Sequence, residues 1–429
     1  MSSPLDRRSF VRTTVAAGAA AFVVPRVWGA ADAPDRIKVG LVGCGGRGTG
    51  AAVQALSADK GVVLWAMGDV FPDRLEGSLR NLSSQEYPDR VQVPPERRFT
   101  GFNAIDGVLA SGVDVVILAT PPHFRPAHLA ASVAKGVHVF CEKPMCVDVP
   151  GYRSVKESIS DARAKGLNLM SGFCWRYSAP ERLLMEQIRA GRMGDVTGMH
   201  SMYLTSPLGT QPRKTEWSDM EFMLRNWQHF NWLSGDHIVE QAVHSIDKIN
   251  WVMDGKLPLR CTAVGGRGVR EDVPERGDVY DHFAVVYEYP GGERCTLTCR
   301  QQVNCHNENT DSIMGTRGFA FINGWGPTQW IKGPTPWEYV SETQAPNMYQ
   351  TEHDELFQAI RGQRPRVDDG NFMAESCLMA IMGRAAAYTG KAVVWEKFLA
   401  SKEDLRPAAY EFGSVPMPAV KHPGRTPLT

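Results

Sequence analysis

Three glycines spaced G-x-G-x-x-G, Gly43, Gly45 and Gly48, close a short apolar run in the segment IKVGLVGCGGRG at residues 37–48. A small-residue stretch, TGAAVQAL, follows as a helix would. In this pattern the first glycine makes a tight turn, the second lets backbone approach a pyrophosphate, and the third lets helix and strand pack closely. The start of the helix offers unpaired N–H groups to phosphates. The segment therefore predicts a strand, a turn and a helix that bind a dinucleotide.

A second apolar run, VVLWAMGD, ends in an acidic residue, Asp69, 26 residues after Gly43. A carboxylate at the end of the second strand can accept hydrogen bonds from a ribose 2′-hydroxyl, and it repels a 2′-phosphate. The position therefore favours NAD over NADP as cofactor. The alternative is that Asp69 merely starts a turn before Phe71 and Pro72.

The elements that would position these residues alternate between apolar strands and helices. The run DVVILATPP at 114–122 is typical of a central parallel strand buried on both faces, and it stops at Thr120 and Pro121. Another buried strand, in KGVHVFCEKP, ends at Glu142 and Lys143. Such alternation predicts a doubly wound parallel sheet that binds ligands beyond the carboxyl ends of its strands. The candidate residues at these ends are Gly45, Asp69, Thr120 and Lys143.

From about residue 195 the pattern changes to alternating runs such as VTGMHSMYL, DHFAVVYEYPGG and RCTLTCRQQV, which are typical of antiparallel strands. The C-terminal part indicates two helices and a closing strand. We therefore predict an α/β protein with an N-terminal Rossmann doubly wound parallel sheet and a C-terminal α/β domain with an open, mainly antiparallel sheet. The expected boundaries are a signal at 1–31, an NAD-binding domain at 35–170 and a substrate-binding and oligomerisation domain at 171–429.

The composition excludes some classes of partner and site. The 429 residues carry a formal net charge of zero, which argues against nucleic-acid binding. The nine cysteines are scattered and odd in number, so they predict no disulfide framework. Cys295, Cys299 and Cys305 come closest to a zinc pattern, but in a strand this spacing is more typical of packing.

The N-terminus predicts an export signal. A twin-arginine element at Arg7 and Arg8 precedes an apolar stretch at 15–24, which is shorter than the roughly 20 residues of a membrane span. We expect a cleaved signal at 1–31, a periplasmic or otherwise exported protein and no stable membrane insertion; an uncleaved anchor is the alternative. Proteins on this route fold first, so a nucleotide cofactor would be loaded in the cytoplasm and then kept.

With these features the chain resembles the Gfo/Idh/MocA family of NAD(P)-dependent oxidoreductases. The matching segments are GLVGCGGRG, DVVILATPPHFRPAHLAASVAKGVHVFCEKP, FCWRYSAP followed by IRAGRMGDV, EQAVHSID, AIRGQRPR and AAAYTGKAVVW, which cover nearly all of the chain after the signal. The resemblance implies a Rossmann domain joined to an α/β domain with an open antiparallel sheet. It also implies substrates that are mostly sugars, polyols and their derivatives.

The resemblance places the catalytic residues. Lys143 matches the lysine of the EKP element, which contacts the substrate hydroxyl, and an ammonium there favours a developing alkoxide. His244 matches the family's general base, a task that suits a side chain with a pKa near neutrality. The family often has aspartate four residues earlier, where this chain has Glu240, and Glu240 would share a helical face with His244. The plainer alternatives are a lysine that caps a turn and a buried structural histidine.

Other family positions carry over less directly. Arg176 matches an arginine that contacts substrate or structure, and Asp247 either orients the His244 imidazole or is a helix-surface charge. Where the family often has asparagine after Thr-Pro this chain has Pro122, so that cofactor hydrogen bond is lost, although His123 remains.

Two further constellations leave alternatives open. In GDHIVEQAVHSID, His237, Glu240 or Gln241, and His244 would lie on one helical face and hold a divalent metal, or form a polar face that grips sugar hydroxyls. We favour the polar face and predict no metal. In RNWQHFNW the aromatic side chains would stack on a sugar or fill a core, and Trp227 is the candidate substrate contact.

These observations predict an exported oxidoreductase that transfers hydride at a secondary hydroxyl of a sugar or glycoside and binds its NAD tightly. The alternatives are a redox-neutral NAD-dependent glycoside hydrolase or lyase that works through a transient keto-sugar, and a non-catalytic sugar-binding protein. The open sheet face predicts a homo-oligomer, a dimer or tetramer. Predicted cofactor contacts are Gly43, Gly45, Gly46, Arg47, Gly48, Asp69, Thr120, Pro121, His123, Glu142 and Lys143. Predicted catalytic residues are Lys143, His244 and Glu240, and predicted substrate contacts are Arg176, Trp227, His237 and Asp247.

Overall fold

The computed structural model of the chain describes residues 35–271, 273–326, 328–340 and 345–429. The predicted export signal at 1–31 lies outside these residues. Among the described residues, no helix is both long and apolar enough to cross a membrane. Two sheets, one in each half of the chain, organise the molecule.

The N-terminal half is a six-stranded parallel sheet in the order β3-β2-β1-β4-β5-β6. Its strands are β1 Ile37–Val42, β2 Val62–Asp69, β3 Arg98–Thr100, β4 Val115–Leu118, β5 His138–Cys141 and β6 Leu169–Ser171. The helices between them are α1 Gly46–Ala58, α2 Pro72–Ser83, α3 Ala104–Ala110, α4 Arg125–Ala134 and α5 Val149–Ala164. Every residue of β4 and β5 is buried, as expected for strands covered on both faces.

The second half is built on a nine-stranded mixed sheet in the order β14-β13-β12-β11-β7-β10-β9-β8-β15. Only the β7–β10 pair is parallel among the pairs described. Its strands are β7 Val196–Thr205, β8 Arg260–Gly266, β9 His282–Glu288, β10 Arg294–Gln301, β11 Glu308–Gly315, β12 Phe319–Asn323, β13 Gln329–Lys332, β14 Trp337–Glu338 and β15 Val393–Val394. Both predicted sheet types are therefore confirmed.

The described residues after β6 also form eight α-helices, of which α11 packs against α1 of the first half. They are α6 Ala179–Arg189, α7 Asp219–Arg225, α8 Asn231–Ser234, α9 His237–Glu240, α10 Val243–Val252, α11 Met348–Ile360, α12 Gly370–Thr389 and α13 Trp395–Phe398. Helices α10 and α12 cover one face of the sheet, where Cys295, Leu297 and Cys299 of β10 are buried. The opposite face is more open. There Phe321 of β12 stacks on Trp330 of β13, with ring centroids 5.3 Å apart, and Phe319 is exposed.

A buried ion pair fixes α10 against this sheet. The ammonium of Lys248 lies against the carboxylate of Asp311 in β11, and both side chains are fully buried. Glu181 of α6 is a buried neighbour, and burial raises its pKa to about 8, so it is neutral at pH 7. The site therefore holds one positive and one negative charge.

We expect Lys248→Met to lower the free energy of unfolding by about 3–5 kcal/mol, because it leaves the Asp311 carboxylate buried without its cation. The double variant Lys248→Met/Asp311→Leu removes both charges and should recover most of that loss. The urea midpoint of tryptophan fluorescence measures both effects. If Lys248→Met were as stable as the parent protein, the ion pair would not contribute to the free energy of unfolding as expected.

Candidate active site

The glycine loop between β1 and α1 leaves an open, polar edge. Gly43 has a φ of +97°, and a β-carbon there would lie 2.5 Å from the carbonyl carbon of Ala119. At Gly48 a β-carbon would lie 1.9 Å from the main-chain oxygen of Gly43. By contrast, β-carbons at Gly45 and Gly46 would meet no atom within 4 Å. Helix α1 begins at Gly46 without a side-chain cap, so its first N–H groups are free for an anion.

This loop forms one side of a cleft of about 450 Å³ at the carboxyl ends of β1, β2 and β4. Eight predicted cofactor residues line it: Gly43, Gly45, Gly46, Arg47, Gly48, Asp69, Thr120 and Pro121. Phe71, Phe102 and Phe124 add an aromatic wall. Uncapped N–H groups beside a deep, half-apolar cleft fit the pyrophosphate and ring systems of a dinucleotide.

Asp69 is held rigidly at the rim of the cleft. One carboxylate oxygen accepts the N–H of Cys44 at 2.6 Å and the other accepts the N–H of Phe71 at 2.9 Å. Burial raises the pKa of this carboxyl group. A carboxylate has about four lone-pair positions, so two remain for a ligand. Asp69 therefore makes the local turn and also faces the cleft.

Arg47 and Glu142, two of the predicted cofactor contacts, pair with each other in the structure. The Nε of Arg47 lies 2.6 Å from Oε1 of Glu142, and Nη2 donates to Gln54 at 2.5 Å. The Arg47 guanidinium also lies over the ring of Tyr349, 5.1 Å from its centroid. These contacts direct the side chain toward α11 and the end of β5. The main-chain N–H of Arg47 lies in the first turn of α1, where an anion can bind, and its contact with a cofactor stays a prediction.

His123 also lies outside the cleft lining. Its Nε2 is 2.8 Å from the hydroxyl of Tyr410, and its ring is buried against Phe124 and Trp232. Burial lowers its pKa to about 4. His123 thus connects the cleft wall to the C-terminal segment, and its contact with a cofactor stays a prediction.

That segment, residues 404–417, has no regular secondary structure, and we call it the C-terminal strap. The ring of Phe412 lies 5.9 Å from Phe71 and 5.3 Å from Phe102, both of which line the cleft. The ring of Tyr410 lies 5.7 Å from that of Phe124. The strap thus braces the aromatic wall from outside.

The strap also holds α7 of the second half. The hydroxyl of Ser414 and the N–H of Val415 donate to Asp219, at 2.8 and 3.1 Å, and Met220 donates to the main chain of Gly413. From α7, Arg225 pairs with Asp73 of α2 at 3.0 Å. The strap and Arg225 therefore tie the two sides of the cleft together.

Lys143 connects the two halves at the far end of β5. Its ammonium donates to the main-chain oxygen of Glu240 at 2.6 Å and lies 3.6 Å from the Glu240 carboxylate. The lysine side chain is 16% exposed, so it is enclosed but reachable. The structure thus brings Lys143 and Glu240 together.

His244 belongs to the same site. Its ring packs edge-on against Trp175, with centroids 4.5 Å apart, and against Phe173. Burial holds its pKa well below 6.5, and the charges of Lys143 and Lys248 lower it further. Nδ1 has no hydrogen-bond partner among the described residues. The imidazole is therefore neutral and can accept a proton.

The prediction that His237, Glu240 and His244 share one helical face is wrong. The helix is interrupted at Gln241 and Ala242, between α9 and α10. His237 packs instead against Phe283 of β9, 5.2 Å away. Throughout the described ranges, no group of three His, Cys, Asp or Glu side chains is arranged to hold a metal.

Arg176 and Asp247 contact each other. Two nitrogens of Arg176 lie 2.8 and 2.9 Å from the two carboxylate oxygens of Asp247, and Ser376 donates to the same carboxylate at 2.7 Å. Asp247 is buried, so it is not the helix-surface charge of the alternative, and its carboxylate belongs to a network with Arg176 and Ser376. Trp227 lines the cleft, and its contact with a substrate stays a prediction.

The sequence interpretation missed two groups of residues. One is the strap, because an irregular segment has no periodicity to read. The other is a polar chain beside Glu240, in which Gln301 donates to Gln241 at 2.7 Å. Its members come from the turn after α9, from β10 and from a loop, so only the folded chain brings them together.

Comparison with known proteins gives a consistent result. The family model described as the oxidoreductase family with an NAD-binding Rossmann fold matches residues 37–173, and the Gfo/Idh/MocA C-terminal domain model matches 182–321. The trans-1,2-dihydrobenzene-1,2-diol dehydrogenase of Sus scrofa is 27% identical over 221 residues, 51% of this chain and 58% of that protein. The 2,7-anhydro-N-acetylneuraminate hydratase of Escherichia coli (strain K12) is 23% identical over 229 residues, 53% of this chain and 56% of that protein.

The chain thus spans little more than half the length of either relative. Among solved structures, the aldose-aldose oxidoreductase from Caulobacter crescentus, complexed with glycerol, has a TM-score of 0.66 and 20% identity. The alignment covers 84% of this chain and 100% of that one. At this identity the likeness establishes a shared fold.

The protonation of His244 can be tested without a substrate. Because its pKa lies well below 6.5, the imidazole should stay neutral from pH 8 down to below 6.5. Imidazole ¹⁵N shifts of histidine-labelled protein, assigned by comparison with His244→Gln, measure this. A short unfolded peptide with one histidine, whose imidazole titrates at about 6.5, serves as the reference. Titration of His244 alongside this peptide would contradict the assignment.

Proposed function

Because the chain belongs to the Gfo/Idh/MocA family of oxidoreductases, we propose that it is an NAD-dependent enzyme that oxidises or reduces a secondary hydroxyl of a sugar or glycoside. The observation that carries this proposal is the meeting of Lys143, Glu240 and a neutral His244 at the carboxyl end of β5, the strand paired with β4 of the cleft. When bound, the nicotinamide supplies the hydride-accepting and hydride-donating chemistry. Asp69 at the rim favours NAD over NADP.

The three side chains divide the remaining work. In the oxidation direction His244 accepts the hydroxyl proton, and the Lys143 ammonium stabilises the negative charge that develops on that oxygen. As the C–H bond gives up its hydride, the carbon–oxygen bond becomes a carbonyl. Glu240 holds the lysine in place through its main-chain oxygen and carboxylate. In the reverse direction His244 returns the proton.

We further propose that the cofactor is held tightly and that the protein is exported by the twin-arginine route. The strap and the Arg225–Asp73 pair support tight binding, because they join both sides of the cleft. Export rests on the sequence of residues 1–31 alone. We propose a homo-oligomer through the open sheet face around Phe319, Phe321 and Trp330, since exposed aromatic patches commonly mark interfaces.

The second candidate function is redox-neutral glycoside cleavage. With a cofactor that does not exchange, each catalytic cycle must return the nicotinamide to its starting redox state. Transient oxidation of a sugar acidifies a neighbouring C–H, so the glycosidic group can be eliminated, water added and the ketone reduced again. The contacts of the strap and of Arg225 across the cleft favour this second candidate, and so does the similarity to a protein named as a hydratase. Products separate the candidates: an aldonate or alditol indicates net redox chemistry, and free sugar alone indicates cleavage. A non-catalytic sugar-binding protein would give neither product.

Replacing Lys143 with methionine should leave bound NAD in place and lower turnover about 100- to 1,000-fold, because the charge that stabilises the oxyanion is lost. Turnover is measured by mass spectrometry of products from a panel of aldoses, polyols and glycosides. Lys156→Met on α5, a surface lysine paired with Glu375, is the control and should behave as the parent protein. Full activity in the Lys143 variant would refute the assignment.

Tight binding predicts near-stoichiometric NAD(H) in protein that is folded in a bacterial cytoplasm, dialysed extensively and then denatured for mass spectrometry. Phe412→Ala removes two aromatic contacts with the cleft wall and should speed dissociation of NAD roughly 3- to 10-fold. Phe319→Ala on the open sheet face is the matched control. Equal dissociation rates in all three proteins would show that the strap does not slow the release of NAD. A parent protein that contains no nucleotide would refute the tight-binding proposal.

A further inference from the structure

The loop between β8 and β9 places one arginine next to the active site. Nη2 of Arg270 donates to Oε1 of Gln301 at 3.2 Å, and Gln301 in turn donates to Gln241, which follows Glu240. On its other side, Nη1 of Arg270 lies 2.9 Å from Nδ1 of His229. A continuous polar chain therefore runs from the turn after α9 to Arg270.

Both of these partners are neutral. Arginine only donates hydrogen bonds, so Nδ1 of His229 must accept, and its proton lies on Nε2, 3.0 Å from the Thr210 hydroxyl. Burial and the charge of Arg270 lower the pKa of His229 to about 4. Among the described residues, no carboxylate lies within 4.0 Å of the Arg270 guanidinium. Its positive charge thus has no direct ion-pair partner there.

The nearest acidic groups are committed elsewhere. The Asp281 carboxylate accepts the main-chain N–H groups of Val269 and Arg270 and contacts the ring of His282. Asp236 accepts N–H groups of His237 and Tyr280 and the hydroxyl of Tyr388. These carboxylates are near enough to raise the pKa of Arg270, yet burial, the larger effect, lowers it. They lessen the burial penalty without using the guanidinium's donors.

Unused donors remain around this point. A guanidinium has five N–H bonds, and two of those of Arg270 are used in the contacts with His229 and Gln301. Its Nε is buried without a hydrogen-bond partner among the described residues, and so are both ring nitrogens of His237, whose pKa is lowered by burial and by Arg270. Buried polar groups are nearly always satisfied by protein, water or ligand. A group of them beside the catalytic residues indicates a ligand subsite.

We propose that Arg270 binds a carboxylate of the substrate, so that the enzyme acts on an acidic sugar of the uronic-acid type. The inference rests on the proposed function and names its substrate class. The flat fork of a guanidinium matches a carboxylate with two parallel hydrogen bonds. A phosphate dianion fits less well, because Asp236 and Asp281 lie close by and would repel its second charge.

The test compares binding of matched sugars to the NAD-loaded protein by calorimetry. The probes are methyl β-D-glucuronide against methyl β-D-glucoside, and methyl α-D-galacturonide against methyl α-D-galactoside, so each pair differs only at the carboxylate. In the parent protein one uronide should bind at least tenfold tighter than its neutral partner. Arg270→Gln should weaken that uronide about 10- to 100-fold and leave the neutral glycoside unchanged, whereas Arg270→Lys should retain part of the preference.

Arg294→Gln is the control, since Arg294 lies exposed at the opposite end of β10. Equal weakening of acidic and neutral sugars by Arg270→Gln would mean that Arg270 only positions Gln301 and His229, and it would overturn the inference. Neutral glycosides that bind the parent protein as tightly as uronides would also overturn it and leave the proposed function intact. A protein that takes up no NAD or binds none of the four sugars would refute both.

Discussion

The contact between the Lys143 ammonium and the main-chain oxygen of Glu240 is the constraint on which the rest of the site depends. Lysine comes from the end of a parallel strand, and glutamate comes from a helix of the other half. A charge-assisted hydrogen bond of 2.6 Å fixes the distance between the two halves at the point where chemistry would occur. The dinucleotide cleft lies at the carboxyl end of β4, the strand paired with β5, and the Gln241–Gln301–Arg270 chain begins at the residue after Glu240.

The short helix α9 is preceded by a loop with two residues at positive φ. Gly235 and Asp236 both have positive φ, 77° and 72°, and the aspartate is fully buried. A non-glycine residue in that region is strained, and such strain persists where surrounding contacts hold it. Here Tyr388, the N–H of Tyr280 and the N–H of His237 all bond to the Asp236 carboxylate. The short helix α9 begins from this anchored position, which directs His237 toward β9 rather than toward His244.

The parts of the fold that the sequence predicts are those that depend on local patterns. Alternation, strand-end residues and the glycine loop predict the parallel sheet and the cleft, because each acts within about 30 residues. The prediction that His237 and His244 share a helical face is wrong, since no local feature of the sequence there reveals the break at Gln241. The pairing of Arg176 with Asp247, the ion pair of Arg47 with Glu142 and the strap depend on residues from distant parts of the chain. Periodicity carries no information about such contacts.

The charges around Lys143 and His244 bear on the proposed reaction. A histidine whose pKa is held well below 6.5 is a weak base, and alone it removes the proton of an alcohol poorly. The Lys143 ammonium contributes to that low pKa, and it also stabilises the hydroxyl oxygen as it becomes negative. Lys143 therefore makes His244 a weaker base and the hydroxyl a stronger acid. Proton transfer is then favourable only while both groups contact one hydroxyl. Because Lys143 is held by Glu240 of the other half, the proposed proton transfer depends on groups from both halves of the chain.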